Sequence, residues 1–159
     1  MNTKKFPRVS TYQLALGNEK SKRLLNVNEH SHSSSFLHTS DAHDLAFPDT
    51  KEIGEEEVNV EKLSNLIGEI CLESPSLLKL DVQGFEMSVV AGAEAALDKI
   101  DYVILEASFR EMYRGEKLFL QTVEEMRAYG FRFLRPVGFL KDPQTLEILQ
   151  IDALFVRGS

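Results

Sequence analysis

Three polar residues lie at and just after the end of a short apolar run in the middle of the chain, in the segment LLKLDVQGFEM at residues 77–87. Asp81 ends the run, and Gln83 and Glu86 follow it. A carboxylate can take a proton from a reacting group, and an amide can donate and accept hydrogen bonds without adding charge. A further carboxylate, Glu106, lies at the end of the next apolar run, VILEA. These residue types indicate acid–base chemistry or polar binding at one edge of the fold.

The same residues also have a purely structural interpretation. An acid at the end of a strand often caps the next helix, and an acid in the first turn of a helix is stabilised by the partial positive charge there. Gly84 permits a tight turn between the two elements. From spacing alone, both interpretations stay open for Asp81, and the structural one is preferred for Glu86 and Glu106.

The surrounding pattern predicts an α/β fold in one domain over residues 1–159. Apolar runs on both faces of segments 77–82 and 102–107 are typical of buried parallel strands, whose carboxyl ends meet at one edge of a sheet. Asp81 and Glu106 are therefore expected to face one crevice. The last two strands are joined by a turn at Asp142 and are expected to form an antiparallel hairpin on a mostly parallel sheet. The predicted strands are 8–16, 22–28, 77–82, 102–107, 131–136 and 148–156, and a further short strand is predicted just before residue 60. The predicted helices are 60–70, 86–97 and 116–129.

Composition and charge exclude several classes of protein. The net charge of −7 argues against a general nucleic-acid-binding surface, because such surfaces are basic. The single cysteine, Cys71, rules out an intrachain disulfide, agrees with a cytoplasmic location, and is expected to pack rather than to react. No segment approaches the roughly 20 apolar residues of a membrane-spanning helix. The acidic run at residues 55–57 is expected to be solvated.

All four histidines fall between residues 30 and 43, in a polar segment that is predicted to be a long loop over residues 28–44. His30 and His32 could place two imidazoles on one side of an extended segment, with Asp41 and Asp44 nearby, so a metal site is conceivable. A solvated loop that covers a pocket explains the segment more simply, and no metal site is predicted.

Two further observations concern binding. Tyr113 and Arg114 follow Glu106 in a loop and could line a pocket, although ordinary loop packing is the simpler explanation. The sequence contains nine glycines but no G-x-G and no G-x-x-x-x-G-K motif, so it carries no recognisable loop for a nucleotide or a phosphate.

Several segments together resemble the FkbM-type S-adenosylmethionine-dependent methyltransferases. The stretch LLKLDVQGFEMSVVAGAEAAL is similar to the central signature of that family, a strand K-[IL]-D-V-[EQ]-G-x-E followed by a helix. The resemblance keeps its order over nearly the whole chain. The other segments that carry it are QLALGNEKSKRLLNV, HSSSFL, VNVEKLSNLI, YVILEASFREMYRGE, GFRFLRPVGF and LQIDALFVR.

The resemblance implies a Rossmann-like methyltransferase sheet and methyl transfer to a small-molecule or glycan acceptor, most often a hydroxyl on a glycan, a lipid or a natural product. Asp81 would act as the base or orient the acceptor, with Gln83, Glu86 and Glu106 as its partners. Asp81 and the turn at residues 15–17, Ala15-Leu16-Gly17, would contact S-adenosylmethionine.

The resemblance covers only the C-terminal two-thirds of such an enzyme, since the first strand and the Gly-rich cofactor loop of the family have no counterpart here. The sheet is therefore expected to be incomplete at the N-terminus, and S-adenosylmethionine is expected to bind weakly or not at all. One flank of the strand that carries Asp81 would be open, which favours re-docking of residues 8–16 or self-association. The alternatives are a non-catalytic remnant and an α/β binding module with an acidic crevice.

Overall fold

The computed structural model describes residues 9–70 and 72–158, which form two sheets and five short helices. Residue 8 of the predicted strand 8–16 and the predicted packing of Cys71 lie outside the described residues. The strands are β1 Ala15–Leu16, β2 Ser21–Asn28, β3 Glu52–Glu61, β4 Leu77–Leu80, β5 Tyr102–Ser108, β6 Phe131–Lys141 and β7 Ile148–Arg157. The helices are α1 Asp41–Ala46, α2 Leu63–Leu66, α3 Glu86–Gly92, α4 Glu94–Leu97 and α5 Phe119–Ala128, with a 3-10 turn at Ser31–Ser33.

The first sheet has the strand order β1-β3-β2. β2 and β3 form a long antiparallel ribbon, and β1 adds to its edge by pairing in parallel with Val60 and Glu61. The predicted strand 8–16 is thus reduced to two residues. The physical reason is that Val9 and Tyr12 are exposed and the described residues offer residues 9–13 no partner strand.

The second sheet has the order β4-β5-β7-β6, with β4 parallel to β5 and with β7 antiparallel to both β5 and β6. The predicted C-terminal hairpin is confirmed, because β6 and β7 are joined by a tight turn at Asp142. The prediction of a mostly parallel sheet is wrong. A hairpin must be antiparallel, and this one inserts its second strand next to β5.

β4 is an edge strand, so the prediction that segment 77–82 forms the buried centre of a sheet is also wrong. Leu77 is 57% exposed, and β5 is the only strand of the described residues that pairs with β4. Residues 15–16 do not fill the open side, because they pair with β3 instead. Self-association through this edge stays a prediction.

The helices cover the second sheet and complete the core. Val89, Val90 and Ala93 are fully buried in the same hydrophobic core as Val103 and Leu105 of β5. The predicted helix 86–97 is divided at Ala93 into α3 and α4. The segment predicted as a long loop contains α1, which begins after Ser40 because the Ser40 hydroxyl accepts a hydrogen bond from the backbone of His43.

In the part of the chain that the structure describes, no helix is both long and apolar enough to cross a membrane.

Candidate active site

The turn between β4 and α3 has an unusual backbone. Gln83 and Gly84 both adopt positive φ, +54° and +88°, so the chain is left-handed at two successive residues. Glycine accepts this geometry freely, whereas glutamine is strained by about 1–2 kcal/mol. The Ser35 hydroxyl donates a 2.6 Å hydrogen bond to the Gln83 carbonyl and holds the turn. A Cβ on Gly84 would lie 2.7 Å from the Cβ of Tyr113, so close packing also requires glycine here.

The side chain of Gln83 joins the candidate carboxylates. Its Nε2 donates to Asp81 Oδ1 at 2.8 Å and to Glu106 Oε2 at 3.2 Å. Its Oε1 accepts a 2.6 Å hydrogen bond from the hydroxyl of Tyr113. The structure therefore brings together three of the four predicted catalytic residues, Asp81, Gln83 and Glu106, around a single amide group.

Strand register explains why these carboxylates meet. Leu80 pairs with Leu105, so Asp81 emerges beside Glu106, and Glu106 in turn pairs with Asp152 on β7. Residues directly opposite each other on paired strands project from the same face of a sheet. Lys79, two residues before Asp81, lies in this acidic row, with its Nζ 3.1 Å from Asp81 and 3.8 Å from Asp152.

Burial and repulsion raise the proton affinity of Glu106. Its pKa is raised to about 7, first by burial and then by the negative charges of Asp81 and Asp152, against the opposing effect of Lys79. A carboxyl group with a pKa near neutrality is suited to accept and release protons. Burial likewise raises the pKa of the Tyr113 phenol, so its hydroxyl stays protonated and donates.

Glu86 lies apart from this cluster, at the start of α3, and its side chain is buried beside the turn between β4 and α3. It is 5% exposed, and its Oε1 accepts a 3.1 Å hydrogen bond from the backbone N–H of Val82. Burial raises its pKa to about 8, although hydrogen bonds from the backbone favour the charged form. Glu86 therefore braces the turn rather than facing the crevice.

Replacing Glu86 with glutamine should flatten the dependence of stability on pH. A carboxyl group with a pKa of about 8 when folded and 4.5 when unfolded binds more protons in the folded state. Its contribution to stability is then complete below pH 4.5 and is lost as the pH rises towards 8. Glutamine keeps an acceptor for Val82, so the variant should match wild type at low pH and exceed it near pH 8, by about 1.4 kcal/mol per pKa unit relieved.

This prediction is checked by urea unfolding of both proteins between pH 4 and pH 8.5. The matched control is Glu124→Gln, which makes the same change at an exposed position on α5. Equal pH slopes for Glu86→Gln and wild type would contradict the effect of burial.

A cavity of about 480 Å³ lies between the open edge of β4 and the start of the first sheet. Ala15 and Leu16 line one wall, Leu78 and Phe85 line another, and Asp81 lies among the lining residues. Gly17, the third residue of the predicted cofactor turn, does not line it. A Cβ on Gly17 would lie 2.8 Å from Val60 Cγ1, so this glycine is required by packing.

The predicted loop contributes part of the lining of a second cavity. A cavity of about 700 Å³ is lined by residues that include His38, Lys51 and Arg114. Among residues 9–70 and 72–158, no group of three or more histidine, cysteine, aspartate or glutamate side chains could hold a metal ion. The ring centres of His30 and His32 lie 5.8 Å apart, and the two ring planes are tilted by 32°.

Four residues of the site were not assigned a role from the sequence. Asp152 and Lys79 carried a usable signal, since each is a charged residue between two apolar neighbours in a strand. Tyr113 was considered only as a pocket or packing residue, and its hydrogen bond to Gln83 depends on a contact 30 residues away. Glu116, which accepts a hydrogen bond from the backbone N–H of Tyr113, was considered only as the first residue of the predicted helix 116–129.

Comparison with known proteins identifies a family. The model of the methyltransferase FkbM domain matches residues 2–133. A curated protein named 2-O-methyltransferase NoeI, from Sinorhizobium fredii (strain NBRC 101917 / NGR234), is 37% identical over 59 residues, which is 37% of this chain. The matched part of the chain spans only 24% of the length of that relative. No solved structure matches the chain significantly.

The matched span of residues 2–133 includes both Asp81 and Glu106. Both matches are to proteins described as methyltransferases. Because the family model matches residues 2–133 of a chain of 159 residues, the chain belongs to the FkbM methyltransferase domain family.

Proposed function

We propose that the protein is an S-adenosylmethionine-dependent methyltransferase that acts on a hydroxyl group of a glycan, a lipid or a natural product. The observation that carries this proposal is the pair of carboxylates, Asp81 and Glu106, that one amide joins at the carboxyl edge of β4 and β5. The curated relative is named as a 2-O-methyltransferase, which also points to an oxygen acceptor.

The cavity beside β4 fits part of the cofactor. Its volume of about 480 Å³ falls within the range of ~300–1,000 Å³ that is usual for small-molecule sites. Ala15, Leu16 and Phe85 offer apolar walls to an adenine ring, and the Asp81 carboxylate at the rim suits a sulfonium cation. When bound, S-adenosylmethionine supplies an electrophilic methyl group. Because the sequence contains no glycine-rich loop, we expect this chain to bind the cofactor weakly, and the test therefore uses a millimolar concentration of it.

The two carboxylates are suited to different tasks. Both oxygens of Asp81 are already engaged, one by Gln83 and the other by Lys79. Glu106 accepts one hydrogen bond on Oε2, and no partner for its Oε1 is found among the described residues. Glu106 is therefore the proposed proton acceptor for the attacking hydroxyl, and Asp81 the residue that orients that hydroxyl. The remaining acceleration of the reaction comes from holding the two reactants in the correct position.

The proposal is tested by calorimetric titration with S-adenosylmethionine and by transfer of a labelled methyl group to a panel of glycans and other hydroxyl acceptors, at millimolar cofactor. A transferred label on oxygen supports the proposal. Failure of every acceptor at saturating cofactor would overturn it.

Replacing Asp81 with asparagine should abolish transfer, because the change removes the negative charge that holds Lys79 and orients the acceptor. The control is Asp49→Asn, an equivalent change at an exposed position in the loop before β3. The labelled-methyl assay measures both, and a near-normal rate for Asp81→Asn would remove Asp81 from the mechanism.

A further inference from the structure

The structure assigns a positioning role to Tyr113: its hydroxyl locks the Gln83 amide so that both amide N–H groups point at the two carboxylates. We call the hydrogen bond from the Tyr113 hydroxyl to the Gln83 amide the lock. Its consequence for catalysis rests on the proposed methyl transfer, whereas the hydrogen bond itself is a property of the folded chain.

An amide can be oriented in two ways, and Tyr113 holds it in the orientation that the carboxylates also favour. A protonated phenol that donates to Gln83 Oε1 at 2.6 Å requires the amide nitrogen to lie on the opposite side. There the two N–H groups reach Asp81 at 2.8 Å and Glu106 at 3.2 Å. The reversed amide would place its oxygen against two carboxylates, which repel it.

The phenol is itself held firmly. Tyr113 is 2% exposed, and its ring centre lies 5.5 Å from that of His43 on α1. Its backbone N–H donates to Glu116 Oε1 at 3.1 Å, and the N–H of Met112 donates to the same oxygen. Glu116 is fixed in turn by the hydroxyl of Ser108, at 2.9 Å from Oε2. The loop after β5 therefore presents the phenol from a fixed position.

The lock affects how easily Glu106 is protonated. A donated N–H stabilises a carboxylate and lowers its pKa, so a misdirected Gln83 amide would leave Glu106 easier to protonate. The charged and titratable groups that face Glu106 are Lys79 on β4, Asp81 after it, Asp152 on β7, Glu86 on α3, and the more distant Glu116 and Tyr113 in the loop after β5. Replacing Tyr113 with phenylalanine changes none of these charges, so any change in Glu106 must come through the hydrogen bonds.

The experiment is a carbon-13 NMR titration of the full chain with labelled glutamate carboxyl groups, in which Glu106→Gln identifies the Glu106 signal. Tyr113→Phe should move the Glu106 titration upward by about 0.5–1 pH unit, the size expected for one hydrogen bond. Tyr129→Phe is the matched control, since Tyr129 lies away from the cluster at the end of α5, and should leave the titration unchanged.

A double-mutant cycle with Gln83→Met shows whether the effect passes through the amide. Gln83→Met alone should raise the Glu106 titration, and adding Tyr113→Phe should then change nothing more. An unchanged titration in Tyr113→Phe, or an equal shift in the Gln83→Met background, would overturn the assignment. In the wild-type chain, the Gln83 amide should also give slowly exchanging N–H signals, and rapid exchange would contradict the lock without any variant.

Measuring the turnover of Tyr113→Phe tests the positioning role of Tyr113 separately from the proposed function. In the labelled-methyl assay, Tyr113→Phe should lower kcat with little change in KM and should shift the pH–rate profile upward, because Gln83 and Glu106 are misaligned rather than lost. An unshifted profile would argue against the positioning role. If the wild-type chain transfers no methyl group, the proposed function fails and the NMR titration still decides the lock.

Discussion

Replacing Glu106 with glutamine is expected to slow methyl transfer by about 10²–10⁴-fold, the usual contribution of a general base. Glutamine keeps the length and shape of the side chain but cannot accept the proton of an attacking hydroxyl. Wild-type activity should rise as the pH passes through about 7, because burial and the neighbouring acids give Glu106 that pKa and only the charged form is a base. Glu106→Gln should lose this rise.

The pH–rate profile separates Glu106 from its neighbour. The charge of Asp81 contributes to the raised pKa of Glu106, so any residual activity of Asp81→Asn should rise at a lower pH than that of wild type. Glu124→Gln on α5 is the control for an isosteric change at an exposed site. Single-turnover transfer of a labelled methyl group measures these rates. A pH-dependent rise that survives in Glu106→Gln would show that another group accepts the proton.

Replacing Gly92 with alanine is expected to destabilise the fold by about 1–3 kcal/mol or more, the range for overpacked sites. Gly92 ends α3 where the helix crosses the β1–β2 turn, and an added Cβ would collide with the backbone carbonyl of Gly17. Asn18 Cα would lie only 3.2 Å away. Backbone atoms cannot move aside as a flexible side chain can, and the Gly92 carbonyl is also held by the hydroxyl of Ser64 at 2.7 Å.

The direction of the change in stability on Gly92→Ala distinguishes a steric collision from the ordinary effect of helix propensity. Glycine to alanine in a helix normally stabilises by about 1 kcal/mol through helix propensity. The control is Gly68→Ala in the turn after α2, since a Cβ added there meets no atom within 4 Å. Urea unfolding measures both variants. If Gly92→Ala were as stable as Gly68→Ala, the close contact between α3 and the β1–β2 turn would not exist in solution.

Much of the second sheet was predictable because its signals are local. The apolar runs at 77–82 and 102–107 and the turn at Asp142 predicted β4, β5 and the C-terminal hairpin within a few residues of the observed bounds. The predictions failed where pairing partners decide the outcome. Apolar residues on both faces suggested that 77–82 is a central strand, yet nothing in a strand's own sequence states whether a neighbour exists on its second side.

The sequence by itself determined the family, the types of residue at the site and the meeting of Asp81 with Glu106, because the end of a strand and its parallel neighbour can be inferred from local pattern and order. Only the tertiary structure decided the hydrogen-bond network. The orientation of the Gln83 amide depends on Tyr113, and the pKa of Glu106 depends on Asp152 across the sheet. Such contacts are set by strand register and by burial, which are properties of the packed chain rather than of any segment.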